Sequence, residues 1–225
     1  MVKSPVSQQK NGDSFSSRDE ILLGVLSAVE TDAQISQRRM SHDLGVALGL
    51  ANAYLKRCVR KGWIKIQQVP RRRYAYYLTP QGFAEKSRLA GEYFSTSFNF
   101  FRRARGQVSE LMDYCSVRGW RNVALAGISD LAEIAVICAH DFPITVVAIV
   151  EPARAGGHFC GLPVKASFAD CGTVDAVIIT DLAAPEPAYR SAVTQIDAQR
   201  VFAPSLLRVA LSKTVDADIP RRAAE

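Results

Sequence analysis

The stretch that most constrains this chain begins at Ser36 and ends at Gly82: SQRRMSHDLGVALGLANAYLKRCVRKGWIKIQQVPRRRYAYYLTPQG. Ser36 is placed to cap a short helix over 37–43, because a serine side chain accepts from the free N–H groups of a first helical turn. Leu44-Gly45-Val46 follows, and Gly45 can take the positive φ that a tight helix–helix turn needs. A second helix is expected over 47–61, where Leu48, Ala51, Leu55, Cys58 and Val59 recur at three- and four-residue spacing as a buried face. Asn52, Lys56 and Arg60 lie four apart and share the other face, with Arg57 beside them. Gly62 ends the helix. Two strands are expected next, over 63–69 and 74–78. Between them sits Pro70-Arg71-Arg72-Arg73, a turn with three adjacent positive charges. Thr79 then caps a further helix whose first position is Pro80, where the missing N–H costs nothing.

Helix, glycine turn, helix and basic hairpin, in that order, make the layout of a winged helix-turn-helix, a module that sets its second helix in a DNA major groove. Helix-turn-helix shapes also occur in proteins that never meet DNA, and a basic helix face alone is usually a solvated one. The combination is what points to double-stranded DNA. Asn52, Lys56, Arg57 and Arg60 are expected to face the major groove, where asparagine can read adenine and arginine or lysine guanine. Arg71, Arg72 and Arg73 are expected to contact phosphates or the minor groove, giving salt-dependent affinity.

The stretch resembles the winged-helix regulators of the MarR-like group, in particular bacterial regulators labelled exopolysaccharide-associated (EPS). The residues that carry the likeness are Gly62-Trp63-Ile64-Lys65, then Tyr74-Ala75-Tyr76-Tyr77-Leu78-Thr79-Pro80-Gln81-Gly82, then Glu85-Lys86-Ser87-Arg88-Leu89. It covers about residues 18–105 and implies a winged-helix fold and a DNA partner. One departure is Ala47-Leu48-Gly49-Leu50, apolar where such helices often start with a Ser or Thr cap.

Charge divides the chain in the same sense. Up to Arg105 there are 18 Lys and Arg against 8 Asp and Glu; beyond it there are 10 against 14, so balances of +10 and −4 make up the net +6. Only the basic half is expected to meet a polyanion. No apolar run reaches the roughly 18 residues of a membrane span, and no signal-peptide core opens the chain. A cytoplasmic protein with no membrane partner is therefore expected. The five cysteines are odd in number and none has C-x-x-C spacing, so they read as small buried apolar residues. Cys160, in a glycine-flanked loop, is the best candidate for a redox thiol. His158, Cys160 and Cys171 lack the fourth ligand and tighter spacing of a zinc site.

Five segments are expected: a disordered arm (1–17), a winged helix-turn-helix domain (18–82), a linker and dimerisation helix (83–118), a small α/β domain (119–212) and a flexible tail (213–225). The stripe Ala90, Phe94, Ser97, Phe101, Ala104, Val108, Leu111 and Cys115 alternates steps of four and three, a heptad-like seam for a second copy of the chain. Gly106 is a candidate break in that helix. In the α/β domain, short apolar strands at 122–126, 145–150 and 174–180 alternate with helices at 131–140 and 189–196. A brief strand near 161–164 and a last one at 200–203 complete a parallel, Rossmann-like sheet.

The loop after the first of these strands reads Gly127-x-Ser129-x-x-Ala132, with Glu151 ending the next strand. The dinucleotide fingerprint is G-x-G-x-x-G/A with an acidic residue about twenty positions on. Gly127, Ser129, Ala132 and Glu151 are thus the candidate ligand residues. Ser129 replaces the glycine that lets backbone approach a pyrophosphate, and Asp130 sets a negative charge nearby. Two readings stay open: a nucleotide-type ligand, or an empty domain that pairs subunits or binds a protein. The domain is also similar to the nucleotide-sugar-binding modules of bacterial sugar acyltransferases. Gly127-x-Ser129-x-x-Ala132-Glu133-Ile134-Ala135, Val147–Glu151, Phe159-x-Gly161-Leu162-Pro163-Val164 and Asp175–Thr180 carry that likeness, which implies a sugar nucleotide. Redox-sensing repressors share the plan of winged helix plus Rossmann domain and would imply NAD(H), but their intact glycine loop is missing. No Ser-His-Asp or metal spacing accompanies Asp130, Glu151, Asp181 or His158. The expected function is a dimeric DNA-binding regulator and not an enzyme; a nucleotide-sugar or nicotinamide enzyme and a protein-interaction adaptor are the alternatives.

Overall fold

The structure is a computed structural model and describes residues 15–69 and 73–210. The chain divides into two compact units, Met1–Asn99 and Phe100–Glu225.

In the first unit, α1 (Ser17–Thr31) starts at Ser16, whose side chain accepts from the Arg18 N–H, and buries Leu22, Val25, Leu26 and Val29. α2 (Gln37–Asp43) starts at Ser36, which accepts from the Arg39 N–H at 3.2 Å. Gly45, at φ +63°, makes the turn into α3 (Leu48–Arg60). α3 ends at Gly62 (φ +75°): the Gly62 N–H donates to Val59 O and the Trp63 N–H to Cys58 O. Those two bonds close the last turn in the way a left-handed residue makes possible. β1 (Ile64–Val69) and β2 (Arg73–Leu78) pair antiparallel, with Ile64 opposite Leu78 and Ile66 opposite Tyr76. The Tyr76 N–H also donates to Ala33 O at 2.7 Å, so the α1–α2 connection extends the hairpin by one bond. Thr79 closes the hairpin onto the next helix: its hydroxyl donates to Gly62 O at 2.6 Å and accepts from the Gly82 N–H. The core joins Leu26, Met40, Leu55, Cys58, Ile64 and Leu89. The unit is a winged helix-turn-helix.

α4 (Pro80–Val117) gives its N-terminal part to the first unit and its C-terminal part to the second. Two expectations fail here. The helix passes through Gly106 unbroken, because one glycine costs only about 1 kcal/mol in a helix. The heptad-like stripe is not one seam either. Ala104, Val108, Leu111 and Cys115 are buried in the second unit's own core, whereas Phe94 and Phe101 are exposed.

The second unit is built on a six-stranded sheet in the order β5-β6-β4-β3-β7-β8. β3 (Asn122–Ala126), β4 (Thr145–Val150), β6 (Leu162–Lys165), β7 (Ala176–Ile179) and β8 (Val201–Phe202) run parallel. β5 (His158–Phe159), which the sequence pattern did not suggest, is an antiparallel edge. Successive residues point to opposite faces of a strand, and both faces are covered. Val123, Leu125, Ile149, Ala176 and Ile178 meet α5 (Asp130–Ala139) and the end of α4 in one core. Ala124, Ala126, Val150, Val177 and Ile179 meet Phe168 and the Tyr189 and Ala192 side chains of α6 (Pro185–Val193) in another. That double burial is why these strands are continuous apolar runs and not alternating ones.

Candidate nucleic-acid interface

α3 is held from both sides by the capped α2 and by the hairpin, so its outer arc is fixed in place. That arc carries Gly49, Ala53, Lys56 and Arg60, all exposed and spaced by four, three and four residues. Leu48 and Leu50 flank Gly49 and are 46% and 42% exposed. Leu48 was expected in the buried face. Ala51, Leu55 and Cys58 are the buried residues of the helix; Leu48 is in phase with them, but the α2–α3 turn leaves the first turn of α3 projecting beyond the core.

Lys56 and Arg60 line a groove of about 630 Å³ between α3 and the hairpin, with Asn52, Ile66, Tyr74 and Tyr76. Among the described residues neither cation has an ion-pair partner. Asn52 is half-buried, and its Oδ1 is enclosed with no hydrogen-bond partner.

Arg57 is not part of the same group. It lies away from the groove, on the side of α3 where its charge reaches Glu85 of α4. The Arg88 fork, bonded to Glu85 at 2.7 and 3.0 Å, holds that carboxyl below the usual range, and the charges of Arg57 and Lys61 add to the effect. Five positions from Asn52 is roughly 140° around a helix, which separates the two side chains although both are exposed in a simple polar-face reading. Arg71 and Arg72 lie outside the described residues; Arg73 opens β2. The aromatic lining from Tyr74 and Tyr76 was not anticipated, although hairpin register alone sets both on one face with Ile66.

Of the candidate ligand residues of the second unit, Gly127 and Ser129 come together where β3 and β7 end. Gly127 has φ +101°, and a Cβ there would stand 2.5 Å from the Asp181 Cβ and 2.7 Å from its Cα. Ser129 caps α5: its Oγ accepts from the Leu131 N–H at 3.1 Å and donates to Thr180 O. The buried Thr180 hydroxyl donates back to Gly127 O at 2.6 Å. Asp181 Oδ1 accepts from the Ala183 and Ala184 N–H groups. Ala132 is fully buried in the core, and Glu151, half-buried after β4, gives its N–H to Lys165 O. Asp181 was already a strand-end candidate in the sequence, whereas Thr180 was missed as part of this loop pair; its signal was its position at a strand end. Cys160 is exposed, but desolvation and the nearby Glu133 carboxylate push its thiol up, opposite to the shift a reactive thiol needs.

Residues 18–65 match the family of winged helix-turn-helix DNA-binding domains. No curated protein matches the chain. Among solved structures, the PcaV transcriptional regulator from Streptomyces coelicolor is similar at 21% identity, over 40% of this chain and 65% of that one, with a TM-score of 0.35. The chain thus spans just under two thirds of PcaV. MepR, a transcription regulator of the Staphylococcus aureus multidrug efflux pump MepA, is similar at 18% identity, over 40% of this chain and 71% of that one, at 0.33. ZitR, a zinc-responsive MarR family member from Lactococcus lactis, is similar at 17% identity, over 60% and 77%, at 0.32. Likenesses this distant carry no argument about what the chain binds. Among the described residues no helix is long and apolar enough to cross a membrane.

Proposed function

We propose that the chain is a MarR-like, sequence-specific DNA-binding transcriptional regulator of the cytoplasm that works as a homodimer. The observation that carries the reading is the outer arc of α3, which ends in Lys56 and Arg60, neither ion-paired among the described residues, within a capped helix-turn-helix of the matched family. Lysine and arginine on phosphates supply the salt-dependent part of affinity, and Asn52, which lines the groove beside them, is the base-reading candidate. Arg57, Arg71, Arg72 and Arg73 remain candidates for the flanking backbone. Dimerisation is supported by Tyr93, Phe94 and Phe98, which are exposed on the α4 segment of the first unit within a stretch of sequence that has no charged residue from Tyr93 to Phe101. A dimer would set two reading helices on two half-sites about 34–36 Å apart.

For the second unit, the parallel strands have the order of dinucleotide-binding sheets, which supports a Rossmann-like winding. Gly127 stands at the point where the order reverses, where such sheets take ligands, and Glu151 suits a ribose hydroxyl. A pyrophosphate does not fit there as the loop stands. The Ser129 hydroxyl is spent on Leu131 and Thr180, Asp181 packs against Gly127, and Asp130 adds another carboxylate. This favours a domain that pairs subunits or binds a protein over one that binds NAD(H) or a nucleotide sugar.

The test is binding of the purified protein to its own upstream DNA at two salt concentrations, with and without NAD(H) and a panel of sugar nucleotides. Specific, salt-sensitive binding that no nucleotide alters is the expected result. Binding that shifts with one nucleotide would restore the sensing reading, and no binding at low salt to that DNA or to genomic fragments would overturn the regulator.

A further inference from the structure

We propose that the first turn of α3 reads the C5-methyl groups of thymines in the major groove, with Leu48 and Leu50 as the specificity-determining side chains. This rests on α3 being the DNA-reading helix. The two leucines are exposed on either side of Gly49, and α3 begins at Ala47, which makes no side-chain cap. Recognition helices bring their N-terminal residues to base edges. The side chains of this N-terminal turn carry no hydrogen-bonding group, so none of them reads a donor or an acceptor. What an apolar side chain can read in the major groove is the thymine methyl.

Gly49 is the independent observation. A glycine inside a helix is unfavourable relative to alanine, and a Cβ at Gly49 would meet nothing within 4 Å. Among the described residues nothing needs the missing side chain. Its absence instead clears the backbone between the two leucines for close approach by another molecule. Ala53, one turn on along the same arc, is also small, and Lys56 and Arg60 follow. The arc therefore passes from a small apolar surface, suited to the groove floor, to cations suited to the phosphates at its edge. Two copies of a protein–protein contact would not need that gradient.

The test uses the full chain and a duplex that the protein itself selects from a random-sequence pool. Each thymine is replaced in turn by uracil, which removes only the methyl group. One or two positions per half-site should lose about fourfold in affinity, the worth of one buried methylene-sized group. Leu48→Ala or Leu50→Ala should weaken binding to the thymine duplex to a similar degree and abolish the uracil effect at the position that leucine reads. Gly49→Ala should raise the thermal stability of the chain and yet weaken DNA binding, a pair of signs that a purely structural glycine would not give. If every uracil duplex binds as tightly as the parent while sequence specificity persists, the methyl reading is overturned and the regulator stands. If no salt-sensitive DNA binding is found, both fall.

Discussion

Two helices of this chain begin in opposite ways. α3 starts at Ala47 with no side-chain cap, exposed leucines and an open glycine. α5 starts at Ser129, whose hydroxyl caps the helix and is tied across to Thr180, behind a glycine pressed on Asp181. A helix N-terminus is suited to anions because its first N–H groups lack partners, but only if the chain has left them free. By position in the fold, α5 has the better claim to a ligand, since it follows the first strand of a sheet whose order reverses there. By chemistry the claim passes to α3. An ordinary ligand position can be closed from within, and an uncapped, locally less stable turn can be the one facing outward.

The largest expected effect closes on the sealed side. Gly127→Ala must place a Cβ against the Asp181 backbone at positive φ, and should destabilise the second unit by about 3 kcal/mol, the range of severe backbone and overpacking changes. The buried thiols report where the damage falls. Cys58 lies in the first core and Cys115 and Cys138 in the second, so thiol labelling under mild denaturant should accelerate at Cys115 and Cys138 and not at Cys58. Uniform acceleration would mean that the two units do not open separately. The same thiols set a pH limit. Burial pushes Cys58 up to about 11 and Cys115 up to about 12 from an ordinary 9.0. The folded chain thus holds these protons more tightly than the unfolded one, and the associated stability is whole below pH 9 and is lost as the pH rises through the folded values. A urea midpoint measured from pH 8 to 11 should fall.

The next effect is on the open side. Lys56→Ala with Arg60→Ala should weaken DNA binding by at least tenfold at low salt and reduce the slope of log affinity against log salt by about 2, one for each phosphate contact removed. Folding should be unchanged, since neither side chain has an ion-pair partner among the described residues. Arg57→Ala should cost less, because that guanidinium lies toward Glu85. Binding assays across a salt series separate the cases; equal loss from Arg57→Ala would return Arg57 to the reading face.

Legibility in the sequence divides along the same line. Element positions were readable wherever local chemistry decides them: Ser36 as a cap, Gly45 and Gly62 as turns, Thr79 before Pro80, and five apolar runs as strands. What failed was orientation, which depends on neighbours far along the chain. Leu48 fits the apolar period of α3 but projects past the core. Arg57 is basic like Lys56 but turns toward α4. Ala104, Val108, Leu111 and Cys115 fit a dimer seam by spacing, yet their partner is the sheet of their own unit. Likewise Ser129 occupies a fingerprint position, but only the fold reveals that Thr180, 51 residues away, engages its hydroxyl.

The smallest effects are a mirrored pair that tests whether the two helix starts are opposites in energy as well as in geometry. Ser129→Ala removes a cap and should cost about 1 kcal/mol, with a little more from the unpaired Thr180 carbonyl. Ala47→Ser supplies the cap that α3 lacks and should stabilise the first unit by about 0.5–1 kcal/mol. Urea denaturation followed by Cys58 labelling for one variant and Cys115 labelling for the other assigns each change to its unit. If α3 is open because its first turn must meet DNA, the added cap should gain stability without gaining affinity, and binding should hold steady or weaken by less than about threefold. An Ala47→Ser chain that binds DNA several-fold more tightly would mean that the first turn is merely frayed, and that ordering it, not leaving it open, is what binding requires.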